Sequence, residues 1–345
     1  MARRHLGMSF PLRGAILGFG NVAEHAHLPV WQRNHHFRID AVLEPHPGRA
    51  KLARTLLPGA RIYSDVDSLL AGSDLDFVDV CAPPCFHADL VLKACEAGLH
   101  VFCEKPLVTS SESLHLIAQA ARGSKRVIFT VNNWKYAPLW VEAARLIREE
   151  RIGAVQSIFL TVLRPPGSGG GASDWRKRPE VAGGGILLDH GWHHLYLILS
   201  ILEEPPLAVS AKMEYSQNNL EETVDLVMQF RRAEARVHLT WRAPCRRNFG
   251  TIRGDTGVLL LNDDHLILCS DGAPERRYGF REALSAGSHH PEWMEPVIEE
   301  FLQEVQNVSN PGTNFIEGRW CAQITSLAYQ SHREGSDFVP AGKLV

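Results

Sequence analysis

The stretch Ala15-Ile16-Leu17-Gly18-Phe19-Gly20-Asn21-Val22-Ala23 decides how the first part of this chain folds. Three apolar residues read as a buried strand, and Gly18 to Ala23 match the pattern G-x-G-x-x-G/A. The first glycine permits a tight turn out of the strand. The second lets the backbone approach a pyrophosphate, and a small third residue lets the next helix pack closely. That helix, read over 22–32, turns free N–H groups and the positive end of its dipole toward phosphate. The turn is therefore expected to bind a dinucleotide through Gly18, Phe19, Gly20, Asn21, Val22 and Ala23.

Outward from the turn, residues 39–43, 77–81, 100–103 and 127–131 are continuous apolar runs, and 49–56, 88–97 and 113–121 have helical patterning between them. Such alternation means a parallel sheet covered on both faces. We expect residues 1–12 to be a disordered or extended lead and 13–132 to be a dinucleotide-binding α/β Rossmann domain. After about residue 133 the pattern changes. Val224, Leu226, Met228 and Phe230 fall on one face of a strand, and Ala235, Val237, Leu239 and Trp241 alternate with Arg236, His238 and Thr240. Period-two alternation marks a sheet with one dry face. Further strands are expected at 157–162, 208–213, 250–253, 258–261 and 266–269, with helices at 139–150, 296–305 and 317–330. Residues 133–345 thus read as an α+β domain for substrate binding and oligomerisation, with an open, mostly antiparallel sheet. The glycine-rich 165–171 reads as a mobile loop.

Composition narrows the function. The chain has 345 residues, is 45% hydrophobic and 22% charged, and carries a formal net charge of -3. That balance argues against a nucleic-acid or membrane-surface binder, and no apolar run is long enough to span a bilayer. Arg3 and Arg4 superficially suggest an export signal, but Pro11 and Arg13 break the apolar stretch just ahead of the glycine turn. The 7 cysteines show no C-x-x-C pair, as expected of reduced thiols in a cytoplasmic protein.

Glu44 closes the second strand. A carboxylate there accepts hydrogen bonds from the adenosine ribose and repels a 2′-phosphate, which favours NAD. His46 and Arg49 lie close enough in sequence to serve a 2′-phosphate, so NADP stays open.

Two segments carry candidate chemistry. Glu104-Lys105-Pro106 follows a parallel strand directly, at the end where open α/β sheets bind ligands. A lysine there can hydrogen-bond a substrate hydroxyl and stabilise negative charge developing on its oxygen. The second segment runs from Gly183-Gly184-Gly185 through Asp189 to His190, His193 and His194. Read as an α-helix from Ile186, it puts Asp189 and His193 at i and i+4 on one face, a carboxylate orienting an imidazole for acid–base work. No H-E-x-x-H pattern occurs and no third ligand is evident, so no metal is expected.

Taken together, the glycine turn, Ala82-Pro83-Pro84 with His87, Glu104-Lys105-Pro106, the 133–138 stretch and the segment from Gly183 to His193 resemble the Gfo/Idh/MocA family of oxidoreductases. The resemblance implies an NAD(P)-dependent dehydrogenase or reductase acting on CH–OH groups of a sugar, cyclitol or related polyol, with substrate between the two domains. It implies a homodimer or homotetramer formed through the C-terminal sheet. By motif, Lys105 positions the reacting hydroxyl, His193 is the general acid/base and Asp189 supports it. Ala82, Pro83, Pro84, His87, Glu104 and Lys105 lie near the cofactor with Glu44. Tyr136, Trp175 and Arg176 join Lys105, Asp189 and His193 as substrate contacts. Three positions depart from the family pattern: Lys135 where an arginine is usual, Tyr196 where an acid often stands, and Cys85 where many relatives have asparagine. The same residues leave two other functions open, a glycoside-cleaving or eliminating enzyme with transient oxidation, and a non-catalytic NAD-binding sensor.

Overall fold

The computed structural model describes residues 10–123, 126–166, 174–287, 289–307 and 311–342. The expected lead over 1–12 lies outside these residues up to residue 9, and Leu12 already opens the first strand. Most of the expected loop at 165–171 also lies outside them. The chain divides into two compact units. One comprises the described residues of Met1–Leu107, His115–Val131 and His289–Phe315, the other those of Val108–Leu114, Asn132–Ser288 and Ile316–Val345.

Among the described residues, the first unit holds a sheet of six strands: β1 (Leu12–Leu17), β2 (Phe37–Leu43), β3 (Arg61–Tyr63), β4 (Phe77–Val80), β5 (His100–Cys103) and β6 (Ile128–Thr130). Their order is β3-β2-β1-β4-β5-β6 and every neighbouring pair is parallel. The strand order reverses between β1 and β4, so a crevice opens at the carboxyl ends of those strands, where Gly18 leaves β1. The sequence supports the buried strands directly: every residue of β4 and of β5 is buried, as continuous apolar runs require. Trp31, Phe37, Phe77, Phe102 and Phe129 form an aromatic cluster under the sheet. Phe301 completes it from the helix Pro291–Asn307, a segment that the sequence pattern grouped with the second domain.

The second unit holds β7 (Val155–Leu163), β8 (Ala208–Tyr215), β9 (Glu221–Gln229), β10 (Glu234–Thr240), β11 (Arg247–Gly254), β12 (Gly257–Asn262), β13 (His265–Ser270), β14 (Arg276–Gly279) and β15 (Val339–Pro340). Among the described residues they form a sheet of nine strands in the order β14-β13-β12-β11-β7-β10-β9-β8-β15. Neighbours are antiparallel except β7 and β10, which run parallel. Val224, Leu226 and Met228 of β9 are buried as their alternation predicts, and the buried helix Trp192–Leu202 packs on β7.

Candidate active site

In the first unit the glycine turn has the properties a bound dinucleotide needs. Gly18 has φ of +92°, and a Cβ there would lie 2.7 Å from the backbone of Ala82, so only glycine fits. A Cβ on Gly20 would meet nothing within 4 Å. The protein itself does not require glycine at that position, and the open space beside it is what a closely approaching phosphate would use. Ala23 is fully buried, as close helix–strand packing demands. No side chain caps the helical turn that follows, which leaves its first N–H groups to other acceptors. Phe19 turns its ring into the core and offers only backbone.

Glu44 has a second job. Its Oε2 accepts the Phe19 N–H at 2.8 Å and its Oε1 accepts the His46 N–H at 2.8 Å, tying the turn to the end of β2. A carboxylate has about four acceptor sites, so capacity for ribose hydroxyls remains. Arg49 also braces the turn. Its Nε donates to the Phe19 carbonyl at 2.7 Å and its Nη1 pairs with Glu24 at 3.0 Å.

Ala82, Pro83 and Pro84 follow β4, and Glu104 and Lys105 follow β5, so all lie at the carboxyl edge of the sheet. His87 sits under them. It is buried, with Nε2 2.7 Å from the Ala82 carbonyl oxygen and Nδ1 2.7 Å from that of Pro106. Its side chain therefore joins the two turns from inside the fold. Glu104 accepts the Lys105 N–H on Oε2 at 3.0 Å and lies 2.9 Å from His27 Nε2 through Oε1. Burial works against the charge on Glu104, but His27 outweighs it and holds the carboxyl below its ordinary value.

In the second unit, Glu221 organises the segment after the triple glycine. A Cβ on Gly185 would collide with the Glu221 carbonyl oxygen. The Glu221 side chain accepts N–H bonds from Gly185 at 2.7 Å and Leu187 at 3.2 Å, and the Tyr329 hydroxyl at 2.9 Å. It is the N-terminal anchor of the helical stretch. Burial raises its pKa, against the pull of those donors.

That stretch begins as a π-helix, Leu187–Gly191, and becomes α-helical only from Trp192 to Leu202. A wider turn alters which side chains share a face. Asp189 Oδ2 lies 3.3 Å from His190 Nδ1. His193 has Nδ1 2.7 Å from the Tyr196 hydroxyl. The Tyr196 hydroxyl in turn accepts the Trp134 N–H at 3.0 Å. The Trp134 indole stacks on the His193 ring, centroids 4.9 Å apart and planes 20° apart. Lys135 pairs with the buried carboxylate of Glu317 at 2.9 Å, and Glu317 also accepts from Asn132 at 2.7 Å. Tyr136 is half-buried beside it. Arg176 lies over the Trp175 ring at 4.4 Å and contacts Asp174 at 3.3 Å.

Residues 12–133 match the model of an oxidoreductase family with an NAD-binding Rossmann fold, and residues 140–260 match the GFO/IDH/MocA C-terminal domain. The chain belongs to the Gfo/Idh/MocA family. The glycine turn described above lies within the part matched to the NAD-binding Rossmann fold. The chain is 30% identical to the D-glucoside 3-dehydrogenase of Escherichia coli over 57% of this chain and 56% of that protein. It is 27% identical to the inositol 2-dehydrogenase of Rhizobium meliloti over 58% of each. The chain thus spans little more than half the length of these curated relatives. A levoglucosan dehydrogenase solved with NADH and levoglucosan superposes with a TM-score of 0.85 at 20% identity, covering 96% of this chain and 100% of that one.

Within this member of the Gfo/Idh/MocA family the structure gives contacts to residues for which the motifs assigned no role: His27 and Asp79 near Glu104, Trp134 and Tyr196 around His193, and Glu221 at the start of its helix. Tyr196 was legible as a departure from the family pattern. The partners of His27 stand 52 and 77 positions away, which no local spacing reveals.

Proposed function

We propose that the protein catalyses reversible hydride transfer between a nicotinamide and a secondary alcohol carbon of a sugar, cyclitol or related polyol. The observation that carries this reading is the position of Lys105, directly after β5 at the carboxyl edge of the parallel sheet and in the same unit as the Gly18 turn. The glucoside, inositol and levoglucosan in the names of its relatives support the substrate class.

A nicotinamide bound at that edge supplies the hydride acceptor. Lys105 donates a hydrogen bond to the reacting oxygen and stabilises its charge as the hydroxyl proton leaves. His193 takes that proton at Nε2 while Nδ1–H donates to Tyr196, and Asp189 stabilises the imidazolium. Tyr136, Trp175 and Arg176 contact the rest of the substrate. NAD is the preferred cofactor because Glu44 presents a carboxylate where a 2′-phosphate would lie. The face of the second sheet that exposes Phe159 and Leu260, aligned across Thr251 of β11, supports a homodimer or homotetramer.

A panel of sugars, glycosides and inositols, each offered with NAD and NADP, tests the proposal when both reduced nicotinamide and product are followed. Lys105→Met and His193→Ala should each lower turnover by about 10²–10⁴ while NADH still binds. Near wild-type turnover in both variants would falsify the assignment. Product without accumulating reduced nicotinamide would replace it with a redox-neutral reaction. Sedimentation of Phe159→Glu against wild type reads the oligomer, and an unchanged monomer in both would remove that part.

A further inference from the structure

Beneath Lys105 runs a buried polar chain for which hydride transfer as described has no use. Asp79 and His27 are both fully buried. Both Asp79 oxygens lie 3.0 Å from His27 Nδ1, and Oδ2 also accepts the Trp31 indole N–H at 2.7 Å. The Cys81 thiol donates to Asp79 Oδ1 at 3.3 Å. On its other side His27 reaches Glu104 Oε1 at 2.9 Å, and Glu104 Oε2 takes the Lys105 N–H. Past Lys105, the Pro106 carbonyl oxygen meets His87 Nδ1, and His87 Nε2 returns to the Ala82 carbonyl oxygen. The chain thus starts at Asp79 in β4, passes under both neighbours of Lys105 and ends at Ala82, just beyond the same strand.

The local backbone explains how His27 gets there. Pro29 lacks the N–H that would continue an α-helical ladder, and Ala23–His27 is a π-helical turn closed by the Leu28 N–H on the Ala23 carbonyl. The acceptors then dictate the ring's state. Carboxylates and carbonyl oxygens cannot donate, so a histidine facing one on each nitrogen is satisfied only as imidazolium. For His27, burial opposes the charge but Asp79 and Cys81 outweigh it, and the pKa stands well above its ordinary value. For His87 burial wins and lowers the pKa. A neutral His87 would set a lone pair against a carbonyl oxygen at 2.7 Å, so in that form it holds only one of its two turns firmly.

We infer that His27 and His87 are positioning residues that fix Lys105 from both sides, His27 through Glu104 and His87 through the Pro106 carbonyl. The inference rests on the reading of Lys105 as the group that hydrogen-bonds the reacting oxygen. Both nitrogens of each ring face acceptors inside the fold, so neither ring turns a polar atom outward. Their effect is on where Lys105 stands, and a displacement of about 1 Å is enough to cost roughly 10² in rate.

A double-mutant cycle on the full chain decides it. With the best substrate from the panel, His27→Gln should lower kcat about 10²-fold and leave KM and the NADH Kd within a factor of a few. In the Lys105→Met background the same change should cost nothing further, because residues acting as one unit are not additive. A merely structural histidine would add its full loss in that background, and additivity would overturn the inference. If His27→Gln does not fold, the same cycle with His87→Gln decides, by the same criterion. A second readout needs no substrate: ¹⁵N NMR of histidine-labelled wild type should show both His27 nitrogens protonated at pH 8.5. A singly protonated His27 there overturns the charge chain even if turnover is lost. No turnover on any polyol, with His27 doubly protonated, instead rejects the reaction and keeps the chain.

Discussion

His193 Nδ1 lies 2.7 Å from the hydroxyl of Tyr196, one helical turn along. The hydroxyl also accepts the backbone N–H of Trp134 at 3.0 Å, and Tyr196 is fully buried. One phenol therefore orients the candidate base and satisfies a buried donor. Tyr196→Phe removes both bonds with little change of volume. It should lower stability by about 1–3 kcal/mol through the unsatisfied Trp134 N–H, read as a fall in the urea midpoint. It should also cut turnover by more than tenfold, since the imidazole loses the partner that sets its tautomer. Wild-type kcat in a destabilised Tyr196→Phe would mean that the hydroxyl serves the fold alone.

The two glycines of the first turn should separate fold from ligand. Gly18 combines a left-handed φ with a Cβ position against the Ala82 backbone, whereas a Cβ on Gly20 meets open space. Gly18→Ala should therefore destabilise the protein by more than about 1 kcal/mol. Gly20→Ala should leave the thermal midpoint of the ligand-free protein nearly unchanged and weaken NADH binding at least tenfold. Equal NADH affinity in Gly20→Ala and wild type would remove the phosphate from that space.

Glu44 offers a second separation. Its oxygens hold the Phe19 and His46 N–H groups as well as facing the proposed ribose position. Glu44→Ser should weaken NADH binding through both roles, and weaken NADPH binding less because a repulsive charge is also removed. The expected result is a fall in the NADH-to-NADPH affinity ratio by about fivefold, the equivalent of one kcal/mol of charge repulsion at an exposed edge. An unchanged ratio would mean that Glu44 only braces the turn.

How much of this was readable in advance depended on distance along the chain. The Gly18 turn, the apolar strands β1, β2, β4, β5 and β6, and the alternating strands β9 and β10 are written in adjacent residues, and the sequence predicts them where they occur. β3 is only Arg61-Ile62-Tyr63, partly exposed, with no apolar run to mark it, and it escapes. An α-helical reading of the segment from Ile186 assumes 3.6 residues per turn, whereas Leu187–Gly191 is a π-helix with a wider turn, which no local pattern announces. Glu221 is invisible for another reason. It lies just ahead of the alternating residues that mark β9, and its partners Gly185 and Leu187 are 36 and 34 positions away.

Buried histidines should shape the pH dependence of stability on both sides of neutrality. The two ring nitrogens of His100 face donors, the Val127 N–H at 3.1 Å and Arg126 Nη1 at 3.1 Å, so a proton is unwelcome. Burial, then Arg126, pulls its pKa down to about 4, and burial pulls His194 down to about 3. The unfolded chain protonates these rings near their ordinary 6.5. Burial lowers His87 as well, so stability should fall as pH drops below that value, by up to three protons' worth of slope, until the first of these rings titrates in the folded state. Each tenfold loss of proton affinity on folding is worth about 1.4 kcal/mol, so His100 alone accounts for roughly 3 kcal/mol. His27 acts in the opposite direction. Its folded pKa is raised, so its contribution is complete below 6.5 and declines as pH rises toward the folded value. Urea unfolding at pH 5.0, 7.0 and 9.0 reads both sides. His100→Gln, which keeps an acceptor for one of the two donors, should flatten the acid side by one proton and leave the alkaline side alone. His27→Gln should flatten the alkaline side only, and the same acid slope in His100→Gln as in wild type would show that His100 is already protonated in the folded protein.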